Sequence, residues 1–95
     1  MYIFQLIGRA NSVQDAREIC RAFEQSLARV QEPGYAGGFC AISPTDQLSV
    51  LIQEQWGSPA GVRAWQASDA YRLYRQKLKP LMEGIWETIA YKTSG

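Results

Sequence analysis

The chain has 95 residues, 46% hydrophobic and 20% charged, with ten basic residues against nine acidic ones. That suits one domain with a modest core, and the balanced charge, with no basic block, excludes a nucleic-acid surface built on clustered Lys and Arg. No histidine is present, which removes the commonest general base near neutral pH, every Ser-His-Asp or Cys-His nucleophile, and the usual haem ligand.

Taken in order, Tyr2 to Gly8 alternates aromatic and β-branched residues and predicts a first strand. Ser12, with Asp15 three residues on, offers an N-cap to a helix over Val13 to Val30. Its stripe is Val13, Ala16, Ile19, Cys20, Phe23, Leu27 and Val30, and its outer face carries Arg17, Glu18, Arg21 and Arg29. Glu32-Pro33-Gly34 breaks that helix, and Tyr35 to Ile42 reads as a second strand. Within it, Gly37-Gly38 fits either a bulge, where a ligand or another backbone comes close, or a flexible entry to a strand starting at Phe39. Pro44 to Gln47 forms a turn. Leu48 to Trp56 is the third strand, with Leu48, Val50, Ile52, Glu54 and Trp56 on one face. Ser58 caps a short helix, Pro59 to Ala67, and Ser68 caps a longer one with Ala70, Leu73, Tyr74, Leu78 and Leu81 on one side. Gly84 punctuates, and Ile85 to Lys92 is the fourth strand.

The order β-α-β-β-α-β predicts an α+β, ferredoxin-like domain over residues 1–95, a four-stranded antiparallel sheet with helices on one face. Both sheet faces carry apolar residues: Ile3, Ile7, Leu51, Trp86 and Ala90 as one set, Phe4, Leu6, Val50, Ile52, Ile89 and Tyr91 as the other. Helices are available for only one of them, so the expected partner is a second copy, a homodimer through the sheet face. No apolar run approaches the roughly 20 residues that span a bilayer. Met1-Tyr2-Ile3-Phe4-Gln5 does not read as a signal peptide, so the cytoplasm is expected, with no membrane partner. Cys20 and Cys40 stand far apart without a CxxC pair. They are expected to be buried free thiols, and no metal and no cofactor is expected.

The tryptophan ending the third strand, the helix start Trp65-x-x-Ser68-Asp69-x-Tyr71 and the exit Lys79-Pro80-Leu81-Met82-Glu83-Gly84 resemble the antibiotic biosynthesis monooxygenase superfamily over nearly the whole chain. The resemblance implies a dimeric α+β barrel in which two sheets face each other. Its cofactor-independent branch, which oxidises polyketide phenols to quinones, has a tryptophan matching Trp56. That branch also has an asparagine four residues earlier and a tyrosine six later, where this chain has Ile52 and Val62. Its haem-degrading branch has a tryptophan matching Trp65, with an asparagine and a histidine where this chain has Ile7 and Arg75.

The site expected on these grounds is a pocket between helices and sheet that takes a small planar aromatic. It is lined by Trp65 and Tyr71, with Trp56, Phe39 and Tyr74 as further rings and Arg75 or Glu54 near its mouth. Glu54, an acid on an apolar strand face, is either a pocket acid or paired with a base such as Arg9. For the rings, the competing reading is simple core packing. Three functions fit this frame: a cofactor-independent monooxygenase, a haem- or tetrapyrrole-binding relative without the usual histidine, and a non-catalytic dimeric binding or stress-response module.

Overall fold

Strand β1 (Tyr2–Ala10) lies in the middle of a four-stranded sheet, in a computed structural model that describes residues 1–94. Helix α1 (Val13–Gln25) starts where the Ser12 hydroxyl accepts the Asp15 backbone N–H at 3.0 Å, which satisfies one of the unpaired donors of its first turn. It buries Ala16, Ile19 and Phe23 against the sheet. The helix does not continue to Val30. It ends at Ser26, and Leu27–Gln31 forms a 3-10 turn. The stripe read from the sequence fails there because the tighter turn rotates Leu27 and Val30 out to solvent, at 65% and 56% exposure, and brings Arg29 in.

Strands β2 (Tyr35–Ile42) and β3 (Ser49–Trp56) follow as a hairpin. A register shift between Tyr35 and Gly37 puts a bulge at Ala36, just before the two glycines, and Gly37 takes φ 134°. Helices α2 (Pro59–Gln66) and α3 (Asp69–Leu78) are each capped by the serine before them. A 3-10 turn over Lys79–Leu81 leads into β4 (Met82–Lys92). The sheet order is β2-β3-β1-β4 with every neighbouring pair antiparallel. The fold is therefore the expected ferredoxin-like α+β arrangement, with the core between the sheet and α1, α2 and α3.

The phase of β4 differs from the sequence reading. The strand begins at Met82, three residues early, and its register against β1 shifts between Ile7 and Arg9, beside Gly84 at φ 64°. Beyond that irregularity Thr88 pairs with Leu6 and Ala90 with Phe4, so Trp86, Thr88 and Ala90 face the helices. Ile89 and Tyr91 lie opposite Gln5 and Ile3 on the open face, the reverse of the expected grouping. The shift spans two residues and so keeps the alternation along β4; the faces are set by its pairing with β1. Trp86 packs flat over Gly8, where any Cβ would collide with its ring, and its indole N–H donates to the Arg9 carbonyl at 2.9 Å.

The cysteines are also corrected. Cys20 on α1 and Cys40 on β2 form a disulfide, with Cα atoms 5.2 Å apart. Their separation of 20 residues conceals that α1 packs directly over β2. The thiol-based ground for a reducing compartment falls with it. On the open face, Ile3, Ile7, Phe39, Leu51, Ile89 and Tyr91 surround a Gln5–Gln53 side-chain hydrogen bond of 2.9 Å, and Phe39 and Tyr91 are 46% and 55% exposed. No helix among the described residues is long and apolar enough to cross a membrane.

Candidate functional site

Arg29 is the one charged residue buried in the core among the described residues, at 2% exposure. The 3-10 turn after α1 aims it inward. One Nη donates to the Phe23 carbonyl at 3.3 Å, and the guanidinium lies 3.9 Å from the centre of the Phe23 ring, 4.9 Å from Tyr74 and 5.3 Å from Trp65. Three aromatic faces thus hold the cation, each contributing through its quadrupole. Its Nε stands 3.1 Å from a carboxylate oxygen of Glu54, in an ion pair that is not aligned as a hydrogen bond; the other Nη also has no acceptor.

Alternation along β3 puts Glu54 on the helix side between Ile52 and Trp56. The alternative partner, Arg9, is engaged elsewhere by Asp46 and Glu83. Burial raises the pKa of Glu54 above the ordinary carboxylate value. The Arg29 charge and the nearby indole N–H of Trp56 oppose that rise. The Trp56 N–H closes no full hydrogen bond, nor does that of Trp65. Burial likewise pushes the Tyr74 hydroxyl up to about 12 and raises that of Tyr35, in each case against the pull of Arg29. Desolvation dominates all three groups, the signature of a polar cluster enclosed by apolar walls.

Glu54 and Tyr74 wall a cavity of about 140 Å³, completed by the apolar Phe4, Leu6 and Ile52, by Tyr71, and by the polar Gln5, Gln66, Arg75 and Thr88. That volume is close to the roughly 150 Å³ of an apolar cavity known to hold one benzene ring. Leu6, Tyr71, Arg75 and Thr88 also line a groove of about 700 Å³ between α3 and β4, so the inner cavity and the outer groove adjoin. Arg72 and Lys79 stand along the groove, and Trp86 and Met82 form part of its floor.

Of the residues expected at the site, Tyr71, Tyr74, Arg75 and Glu54 lie together in the cavity wall. Trp65 is brought close but not into the wall. It is 1% exposed and packed against Tyr71 and Tyr74, with ring centres 5.4 and 6.2 Å away, so its ring fills core. Trp56 is fully buried at the end of β3 and meets Tyr35 edge-on at 5.1 Å. Phe39 is not brought to the site. It pairs with Gln53 and so points to the open face of the sheet, because the strand alternates. Reasoning from sequence missed Arg29, which the helical stripe assigns to the solvent side of α1. The one clue was that Glu54, an acid on a buried strand face, needed a basic partner.

No family model matches the chain, and no curated protein matches it. Solved structures do. A candidate antibiotic biosynthesis monooxygenase from Nitrosomonas europaea superposes with TM-score 0.85 at 14% identity, covering 97% of this chain and 88% of that one. A second candidate of the same description, from Deinococcus radiodurans, gives 0.83 at 20% identity over 100% and 94%. The fold is that of the antibiotic biosynthesis monooxygenases. SnoaB, a cofactor-independent oxygenase from Streptomyces nogalater, shares it too, with TM-score 0.81 at 12% identity over 99% and 93%. Ile52 and Val62 are apolar core residues, 4% and 6% exposed. Among the polar residues that line the cavity, Glu54 stands two residues along β3 from Ile52.

Proposed function

We propose that this chain binds a small planar aromatic of the phenol or quinone type between sheet and helices and oxidises it with molecular oxygen, without a cofactor. The observation that carries the reading is a half-buried carboxyl of raised pKa, Glu54, in the wall of a ring-sized cavity that adjoins an open groove. A carboxylate of raised pKa is a stronger base than one in water, and in a low-dielectric wall it can take a proton from a phenolic O–H or a C–H flanked by aromatic rings. The resulting carbanion passes an electron to oxygen, and the radical pair combines to a peroxide. Loss of water then leaves a carbonyl, so that one CH₂ and one O₂ give one C=O and one H₂O. Tyr71 and Arg75 would orient the ring at the cavity's outer side, and Phe4, Leu6 and Ile52 would exclude water from it. The likeness to SnoaB supports the reaction type.

The same proposal includes a homodimer. The apolar open face of Ile3, Ile7, Phe39, Leu51, Ile89 and Tyr91 has no covering layer in one chain, and pairing it with a second copy would bury it.

Oxygen uptake with anthrone or a naphthalenediol tests the reaction. The expected result is turnover that falls about 100-fold or more in Glu54→Gln, with little change in KM. Equal uptake by wild type and Glu54→Gln would remove Glu54 from the mechanism. No uptake with any planar phenol would reject the oxygenase reading.

A further inference from the structure

We infer that the Cys20–Cys40 disulfide is a redox-sensitive clamp that holds Arg29 against Glu54, so that reduction frees the guanidinium and changes the charge state of the inner cavity. The inference goes beyond the oxygenase reading, because it rests on how the ion pair is held and not on any substrate.

The bond joins the two elements that carry the pair's surroundings. On α1, Phe23 lies one turn beyond Cys20, and Phe23 both stacks on the Arg29 guanidinium and accepts its hydrogen bond through the backbone carbonyl. On β2, Gly38 lies two residues from Cys40 and pairs with Glu54, while Cys40 itself pairs with Ile52. The disulfide therefore fixes α1 over β2 within one turn of the place where Arg29 must enter. Arg29 sits on a 3-10 turn that follows α1 directly and has no side-chain cap, so its position depends on the end of α1. Of the ionisable groups around Glu54, Tyr35 is on β2 and Tyr74 and Arg75 are on α3. Only Arg29 is carried by that uncapped turn.

Both cysteines are half-buried, so a thiolate can reach the bond. A dithiol reductant attacks one sulfur, forms a mixed disulfide and then leaves as its own disulfide. Two electrons and two protons pass to the protein, which ends with two thiols. With the clamp open, the uncapped turn loses its anchor and Arg29 withdraws. Glu54 then loses the positive charge that opposes its desolvation, so its carboxyl holds its proton to higher pH.

The test follows the Glu54 carboxyl carbon by NMR through a pH titration, with amide hydrogen exchange measured alongside. The samples are the oxidised protein, the same protein after dithiothreitol, a Cys20→Ala, Cys40→Val double variant, and Arg29→Met in both redox states, with thiol content checked by mass. Reduction and the double variant should each raise the Glu54 midpoint and speed exchange of the Leu27–Gln31 amides about tenfold or more, leaving β1 and β3 protected. Arg29→Met should have a raised midpoint that no longer responds to reduction. Unchanged midpoints and exchange on full reduction would overturn the proposal. So would a redox response that persists in Arg29→Met, or a loss of protection across the whole sheet, which would make the bond a global staple. No substrate enters the experiment, so it stands or falls apart from the oxygenase reading.

Discussion

A guanidinium enclosed by three rings and one carboxylate sets the chemistry of this core, and its removal has a sign that depends on what replaces it. Arg29→Ala would leave Glu54 unpaired in a mostly desolvated site, and is expected to cost about 3 kcal/mol of stability at neutral pH, checked by chemical denaturation. An Arg29→Met, Glu54→Gln pair keeps the volume without the charges and should recover most of that loss. Burial of Glu54 also makes stability depend on pH. Its folded pKa is raised, so its contribution to stability is fully present below about pH 4.3 and is lost as pH rises through the folded value. The stability difference between wild type and Glu54→Gln should therefore drift against the wild type over that window and level off above it. A flat difference from about pH 4 to 8 would mean that Glu54 is not desolvated as described. Trp65 behaves as core: Trp65→Ala should lower stability by about 3–5 kcal/mol, whereas Tyr71→Ala, in the half-buried cavity wall, should cost less stability and more ligand affinity.

Among elements, the register of a strand and the end of a helix decide which residues reach the site. The expected strands and helices are nearly all present, because alternation, serine caps and Gly or Pro breaks are local signals that tertiary packing did not override here. Two features were not legible. The 3-10 turn at Leu27–Gln31 exchanges Val30 for Arg29 on the inner side, and nothing in a stripe of apolar spacings announces a tightened turn. The phase of β4 is set by its pairing with β1, where Leu6 meets Thr88 and Phe4 meets Ala90, and a strand with apolar residues on both faces has no composition that announces which of them turns inward. Glu54 and Tyr71 could be picked out because one is an acid among apolar neighbours and the other follows a helix cap. Phe39 could not be assigned to a face until the bulge at Ala36 set the phase of β2. The disulfide is a further element-level tie. It closes a loop of only 20 residues between neighbouring elements, so full reduction should keep the sheet signal in circular dichroism.

At the scale of the whole molecule, the helices cover one face of the sheet and leave the other apolar. If that face pairs with a second copy, sedimentation should give a dimer at micromolar concentration, with an interface of roughly 1,600 Å² or more. Ile89→Asp, on the open face, should shift the protein to monomer or aggregate without touching the cavity, and a wild-type monomer would contradict the dimer. Such a dimer would leave the groove between α3 and β4 on the helix side, so assembly and ligand entry use opposite faces of one sheet. The central claim is that the chamber beside Glu54 receives a planar aromatic ring. NMR titration of the oxidised protein with 1-naphthol, observing the Glu54 carboxyl carbon and the Tyr71 ring, tests it most directly. Saturable shifts at both groups, abolished by filling the cavity with Leu6→Trp in a variant that keeps its fold, are the predicted result. Shifts confined to the outer groove residues, or no saturation at the solubility limit, would contradict it.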